Sequence, residues 1–191
     1  MSAKERLLDA AYRHFYQHGY YGSGLNAILQ EAAVPKGSLY HHFASKKALA
    51  LAVIKERIAP KMRTLFEPAF TACEDDLPKA VEETATRMKE TGFLITRGCH
   101  LNNLVQELAA GDSDFSDAFK RVFEMLTAII RDAVGRCQEH GRFSREDPRE
   151  LAQYIYASLQ GCLMVGKTTQ TVEAFDECSV RLVRYLRLIQ S

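Results

Sequence analysis

The sequence predicts an all-α protein in which a small N-terminal three-helix domain, residues 1–57, precedes a larger helical domain, residues 58–191. Three observations point there. Apolar residues recur at intervals of three and four along nearly the whole chain and almost nowhere alternate with period two, the signature of amphipathic helices. Glycine, proline and short acidic clusters cut this pattern into segments of helical length. At 191 residues, the chain is long for one small domain and short for two large ones.

In the first segment Leu7, Leu8, Ala10, Ala11 and Phe15 form one stripe that ends at His18-Gly19, where glycine can take the left-handed C-cap conformation. Leu25 to Ala33 follows the break Gly22-Ser23-Gly24, and Val34-Pro35 separates it from Ser38 to Phe43, giving two short helices around a tight turn. Ser45, with Ala48 three residues on, supplies an N-cap for a helix through Leu49, Val53 and Ile54 that Pro60 is expected to interrupt. Beyond it about five amphipathic helices are expected. They cover 61–73, 77–95, 98–110 continuing past Asp112 to 138, 147–166 and 171–189, and Leu77-Pro78, His140-Gly141 and Asp147-Pro148 mark their ends.

The net charge of +1 hides an asymmetry. Residues 1–57 carry eight Lys/Arg against four Asp/Glu, or +4, while the remainder carries −3, and four of the six histidines also lie in the basic part. A head of this kind suits a polyanionic partner. No run of roughly eighteen apolar residues occurs, and Met1 to Arg6 lacks the apolar stretch of a signal peptide, so no membrane partner and a cytoplasmic location are expected. The five cysteines (Cys73, Cys99, Cys137, Cys162, Cys178) are odd in number, widely spaced and without a Cys-x-x-Cys pair. Free thiols in a reducing compartment are expected, with no disulfide framework, metal site or cofactor.

The segment Leu25 to Phe43 has the layout of a helix-turn-helix that reads DNA. Leu39 and Phe43, four apart, share the inner face of its second helix, which leaves Lys36, Gly37, Ser38, Tyr40, His41 and His42 as DNA-facing candidates. Lys36 and Ser38 stand near the helix N-terminus, where backbone N–H groups favour phosphate, and Gly37 permits close backbone approach. Lys46 and Lys47 are expected at phosphates. An alternative, a packing unit with Tyr40 and Phe43 both in its core, leaves the clustered basic residues unexplained.

The stretch Gly19-Tyr20-Tyr21-Gly22-Ser23-Gly24-Leu25, followed by Ala32 to Phe43 and Ser45-Lys46-Lys47-Ala48-Leu49, closely resembles the N-terminal domain of TetR-type repressors over about residues 5 to 55. The resemblance implies a homodimer on a double-stranded palindromic operator, with a C-terminal domain that responds to a ligand. It also implies that Ser23 contacts phosphate, that Lys36 through His42 form the recognition helix and that Lys46 binds backbone. One departure stands in the turn, where many relatives have glycine and this chain has Ala33; an alanine held at positive φ costs on the order of 1 kcal/mol.

In the C-terminal domain the last two helices carry Leu151, Tyr154, Ile155, Leu159 and Leu163, then Val180, Leu182, Val183, Leu186 and Ile189, enough apolar surface to be buried on more than one side. They read as a dimer interface in which two helices from each subunit form a four-helix bundle. Ala157, Ser158, Gly161 and Gly166 would allow close approach there. Such a dimer presents two heads at the ~34 Å half-site spacing.

The segment Thr96 to Leu104, with Glu107-Leu108-Ala109 following, resembles the subgroup of TetR-type repressors that sense electrophiles and oxidants through a cysteine, here Cys99. A thiol at the first turn of a helix, with Arg97 beside it, gains thiolate character. The same resemblance implies that Lys167, in Gly166-Lys167-Thr168, approaches Cys99. The competing expectation is a pocket for a small apolar effector, lined by Phe66, Phe70, Met88, Phe93, Leu104, Phe123, Tyr156 and Met164. Enzymatic use of Cys99 with His100 or His140 as base is disfavoured, because no motif joins a base to an oxyanion hole. His100 and His140 read as capped surface residues near helix ends.

Overall fold

The computed structural model describes residues 1–91 and 93–191, and among them every regular element is helical. The chain divides into two compact units. The first comprises Met1–Lys61 and His100–Val122, the second Met62–Cys99 and Phe123–Ser191. The head therefore forms one unit with residues 100–122, which the sequence groups with the C-terminal domain.

The first unit opens with α1 (Ala3–Gly22), α2 (Leu25–Ala32), α3 (Lys36–His42) and α4 (Lys46–Val53). Ser2 and Glu5 form a capping box at the start of α1, and Leu7, Leu8, Ala10, Ala11 and Phe15 are its buried stripe, as the periodicity requires. At Gly19 the backbone turns to φ 71, so the helix proper ends where the sequence places its end. Ser45 Oγ accepts the Ala48 N–H at the start of α4. The turn between α2 and α3 places Ala33 at φ 50, ψ 48, the left-handed conformation that its departure from glycine brings into question.

Pro60 does not interrupt the next helix. The chain passes from α4 through a π-helical turn, Ile54–Ile58, into α5 (Ala59–Thr71). Proline lacks an N–H and its ring crowds the carbonyl four residues back. Widening the preceding turn accommodates that crowding, and the Glu56 carbonyl accepts from the Arg57 guanidinium instead.

Three further helices follow: α6 (Leu77–Glu90), a short α7 (Leu94–Arg97) and α8 (His100–Leu108). The expected span 77–95 is thus two helices. The Asp112 break is real: its carboxylate accepts from the N–H groups of Asp114 and Phe115 and starts α9 (Ser113–Glu139).

In the second unit α10 (Pro148–Thr169) and α11 (Val172–Ile189) pack along one another and against α7. α6 packs against α7 and α11. Asp147 caps α10 and Thr171 caps α11. Two expectations fail here. Cys162 and Cys178 are joined as a disulfide, because the two packed helices bring their Cα atoms to 5.3 Å, a pairing invisible at a separation of 16 residues. Gly166 serves close packing within the chain: a Cβ there would meet Ile95 Cγ2 at 2.6 Å and Phe175 Cβ at 3.2 Å.

Candidate nucleic-acid interface and sensor cysteine

Helix α3 is divided as its spacing predicts. Leu39 and Phe43 are buried, while Lys36, Gly37, Tyr40, His41 and His42 are exposed and Ser38 is half-buried. Pro35 precedes α3 and its carbonyl accepts the Ser38 N–H at 2.9 Å. The His41 and His42 rings meet edge to face at 5.0 Å. The outward face thus offers an ammonium, a phenol and two imidazoles on a short, rigidly seated helix, the equipment for hydrogen bonding to phosphates and base edges.

The other three expected phosphate contacts are otherwise engaged. Ser23 is 1% exposed and its hydroxyl donates to the Gly19 carbonyl at 2.6 Å. Lys46 donates to the Tyr20 carbonyl at 2.6 Å and lies 4.4 Å over the Tyr20 ring; burial lowers its pKa. Lys47 bridges Asp112 at 2.6 Å and Asp114 at 2.7 Å, and hydrogen bonds to these two carboxylates raise its pKa. Their work in this structure is to brace the head.

Two braces of the head escape sequence reasoning. The Glu107 carboxylate accepts the N–H groups of Tyr20 and Tyr21, each at 2.7 Å, just past the left-handed Gly19, where any Cβ would strike the carboxylate at 2.8 Å. His100 is no surface cap: its ring stacks on Tyr16 at 3.5 Å and on Tyr12 at 4.7 Å. A polar residue on the buried face of α8 is the only sequence signal for either.

In the second unit Cys99 immediately precedes α8, after Gly98 at φ 81, and so stands just before the first helical turn in which it is expected. The thiol is 3% exposed, and its Sγ donates to Met62 Sδ at 3.8 Å. Burial pushes the Tyr156 hydroxyl well above its ordinary value, and the charge of a Cys99 thiolate pushes the same way, which places the phenol within electrostatic reach of the sulfur. Arg97 and Lys167 are exposed. Gln170, left-handed at φ 59, donates from Nε2 to the carbonyls of both Thr96 and Lys167, at 2.9 and 2.6 Å, and so ties the end of α10 to the segment leading into Cys99.

Of the expected pocket residues, Phe66, Phe70, Tyr156 and Phe123 come together. Phe66 lies 6.3 Å from Phe70 and 6.0 Å from Tyr156, and Phe123 meets Tyr156 edge to face at 5.4 Å. Met88 is buried too. Phe93 and Met164, 54% and 55% exposed, lie outside this cluster, and Leu104 is buried in the first unit. The helical periodicity that suggested them does not distinguish inward from outward stripes where a helix is apolar on two sides. Among the described residues no group of three or more His, Cys, Asp or Glu could hold a metal ion, and no helix is long and apolar enough to cross a membrane.

Residues 7–53 match the family described as bacterial regulatory proteins, tetR family, and residues 74–180 match the C-terminal domain of LmrA/YxaF-like transcriptional regulators. The chain is 42% identical to the HTH-type transcriptional regulator LmrA of Bacillus subtilis, over 88% of each chain. It is 25% identical to the HTH-type transcriptional repressor NemR of Escherichia coli, over 91% of this chain and 88% of that one. The crystal structure of a regulatory protein TetR from Rhodobacter sphaeroides superimposes with a TM-score of 0.82 at 27% identity, over 95% of this chain and 97% of that one.

Proposed function

Since the chain belongs to the TetR family, DNA-binding transcriptional regulators rather than enzymes, we propose that it is a homodimeric repressor that holds a palindromic operator until an effector, oxidant or electrophile acts on its C-terminal domain. The observation that carries this reading is the two-sided α3: Leu39 and Phe43 fix it, and Lys36, Tyr40, His41 and His42 remain exposed for the major groove. Residues 1–57 are the DNA-binding part and residues 58–191 the effector-binding and dimerising part, with the α8 region contributing braces to the head. A protein of this kind works in the cytoplasm.

The dimer forms through α10 and α11. Tyr154 and Met164 on α10, and Val180, Tyr185 and Leu188 on α11, are large apolar residues left exposed in the single chain, and a second copy would cover them. The relative named NemR is a repressor, which supports repression here.

For the trigger, Cys99 is favoured over an apolar effector, because the Gln170 bridge draws the backbone of Lys167 toward the Cys99 segment. Reaction at Cys99 acts by a population shift, stabilising a conformation whose heads no longer match the two half-sites.

Salt-dependent retention of an operator duplex by the dimer, lost in Tyr40→Ala, tests the DNA reading. For the trigger, Cys99→Ser is expected to bind the duplex normally and to ignore hypochlorite or a quinone; release as in the wild type sinks the cysteine and leaves the apolar effector.

A further inference from the structure

Cys73 follows the last turn of α5 and Cys137 lies near the end of α9, yet their sulfurs are 3.7 Å apart and both are buried. The surroundings prepare the two sulfurs unequally. The two sulfurs share one hydrogen bond in which either can donate. With Cys73 as donor, that bond, the backbone N–H of Leu77 at the first turn of α6 and the Arg136 guanidinium, whose charge acts on both sulfurs, hold the Cys137 thiol below its ordinary value, against burial and Asp75. Hydrogen-bond donors and a cation around a sulfur are the setting of a nucleophilic cysteine. Arg136 fixes the partner too. It donates to the carbonyls of Cys73 at 2.9 Å and Phe70 at 2.6 Å, which ties the end of α5 to α9.

We propose that Cys73 and Cys137 form an oxidant-reactive dithiol centre, separate from Cys99, in which Cys137 attacks an uncharged hydroperoxide and Cys73 resolves the product to an intrachain disulfide. In the first step the Cys137 thiolate attacks one peroxide oxygen: an S–O bond forms, the O–O bond breaks, and the leaving oxygen departs with a proton as water or alcohol. In the second step Cys73 loses its proton and attacks the Cys137 sulfur: the S–S bond forms, the S–O bond breaks and water leaves. Two thiols are oxidised by two electrons and one peroxide is reduced. The sulfurs need close only from 3.7 Å to bonding distance, about 2.05 Å.

The turn after Cys73 is Glu74-Asp75-Asp76, exposed and acidic, and its charge disfavours anionic oxidants relative to a small neutral one. Closure replaces a hydrogen-bonded tie between α5 and α9 with a covalent one. None of this depends on the role given to Cys99.

The test uses full-length reduced protein, treated with equimolar hydrogen peroxide and digested without reductant for mass spectrometry. The expected product is a pair of peptides joined through Cys73 and Cys137, short of two hydrogen atoms and separated by reduction. It forms in Cys99→Ser at the wild-type rate. In Cys73→Ser, dimedone traps a sulfenic acid at Cys137; in Cys137→Ser it traps none at Cys73. Absence of the joined pair from the wild type, its dependence on Cys99, or a sulfenic acid trapped at Cys73 instead overturns the proposal. The wild-type digest is decisive by itself even where a variant fails to fold.

Discussion

His100 Nε2 lies 2.6 Å from the Tyr12 hydroxyl, within a stack of His100 on Tyr12 and Tyr16 that braces α8 against α1. Burial, and after it the Lys61 ammonium, push the imidazole down to about 3, from 6.5 in the unfolded chain. Between those values the unfolded chain takes up a proton that the native state refuses, so this stabilisation is complete above about pH 6.5 and is lost as pH falls toward 3. The expected loss is on the order of 2 kcal/mol between pH 6.5 and about pH 5, read from urea midpoints. His100→Phe keeps an aromatic ring in the stack but cannot titrate, so its stability should fall less over the same range. Equal acid sensitivity in both proteins would show that His100 is not the group responsible.

Neighbouring residues of α3 should separate stability from recognition. Leu39 is fully buried and Tyr40 is 51% exposed. Leu39→Ala is expected to cost about 2–5 kcal/mol of folding free energy. Tyr40→Ala should leave the urea midpoint unchanged and weaken operator binding roughly tenfold or more, as measured by fluorescence anisotropy. A Tyr40→Ala protein that binds its operator normally would remove this face of α3 from the interface.

The inner and outer faces of α3 are legible in the sequence because a short helix on a small core has one buried stripe, and spacing alone assigns it. The same holds for Ser45 as an N-cap and for the break at Asp112, where a local hydrogen bond decides the structure. Relations between distant segments are not legible. Glu107 reaches Tyr20, Cys73 meets Cys137 and Cys162 joins Cys178 only once helices have packed, and residue type says nothing about which pairs will meet. Lys46 and Lys47 look free for phosphate in the sequence for the same reason: their partners Tyr20, Asp112 and Asp114 arrive through the fold. In α10 and α11, apolar on two sides, spacing does not tell Met164 from its buried neighbours.

Ala33 carries a cost that glycine would relieve. At φ 50 its Cβ is crowded by its own backbone, and the residue is exposed, so no packing compensates. Ala33→Gly is expected to raise stability by up to about 1 kcal/mol, less what the freer unfolded chain takes back. The gain should appear as a higher thermal midpoint with unchanged operator affinity, because the backbone conformation stays the same. A lower midpoint would mean that the unfolded-state entropy outweighs the strain.

Two glycines on α10 should respond oppositely to the same substitution. At Gly166 a new Cβ would sit 2.6 Å from Ile95 Cγ2 and 3.2 Å from Phe175 Cβ, and both neighbours are fully buried and unable to step aside. Gly166→Ala must therefore push α7 or α11 away from α10, at a cost of about 1–3 kcal/mol. Because Ile95 lies on the segment that leads to Gly98 and Cys99, that displacement should also raise the rate at which iodoacetamide alkylates Cys99. Gly161 has nothing within 4 Å of its would-be Cβ. Gly161→Ala gains helix propensity, roughly 0.5–1 kcal/mol, at no steric cost within the chain. Any loss of stability in Gly161→Ala must then come from contact with a second subunit and should grow with protein concentration; a concentration-independent loss would contradict the open surroundings of Gly161.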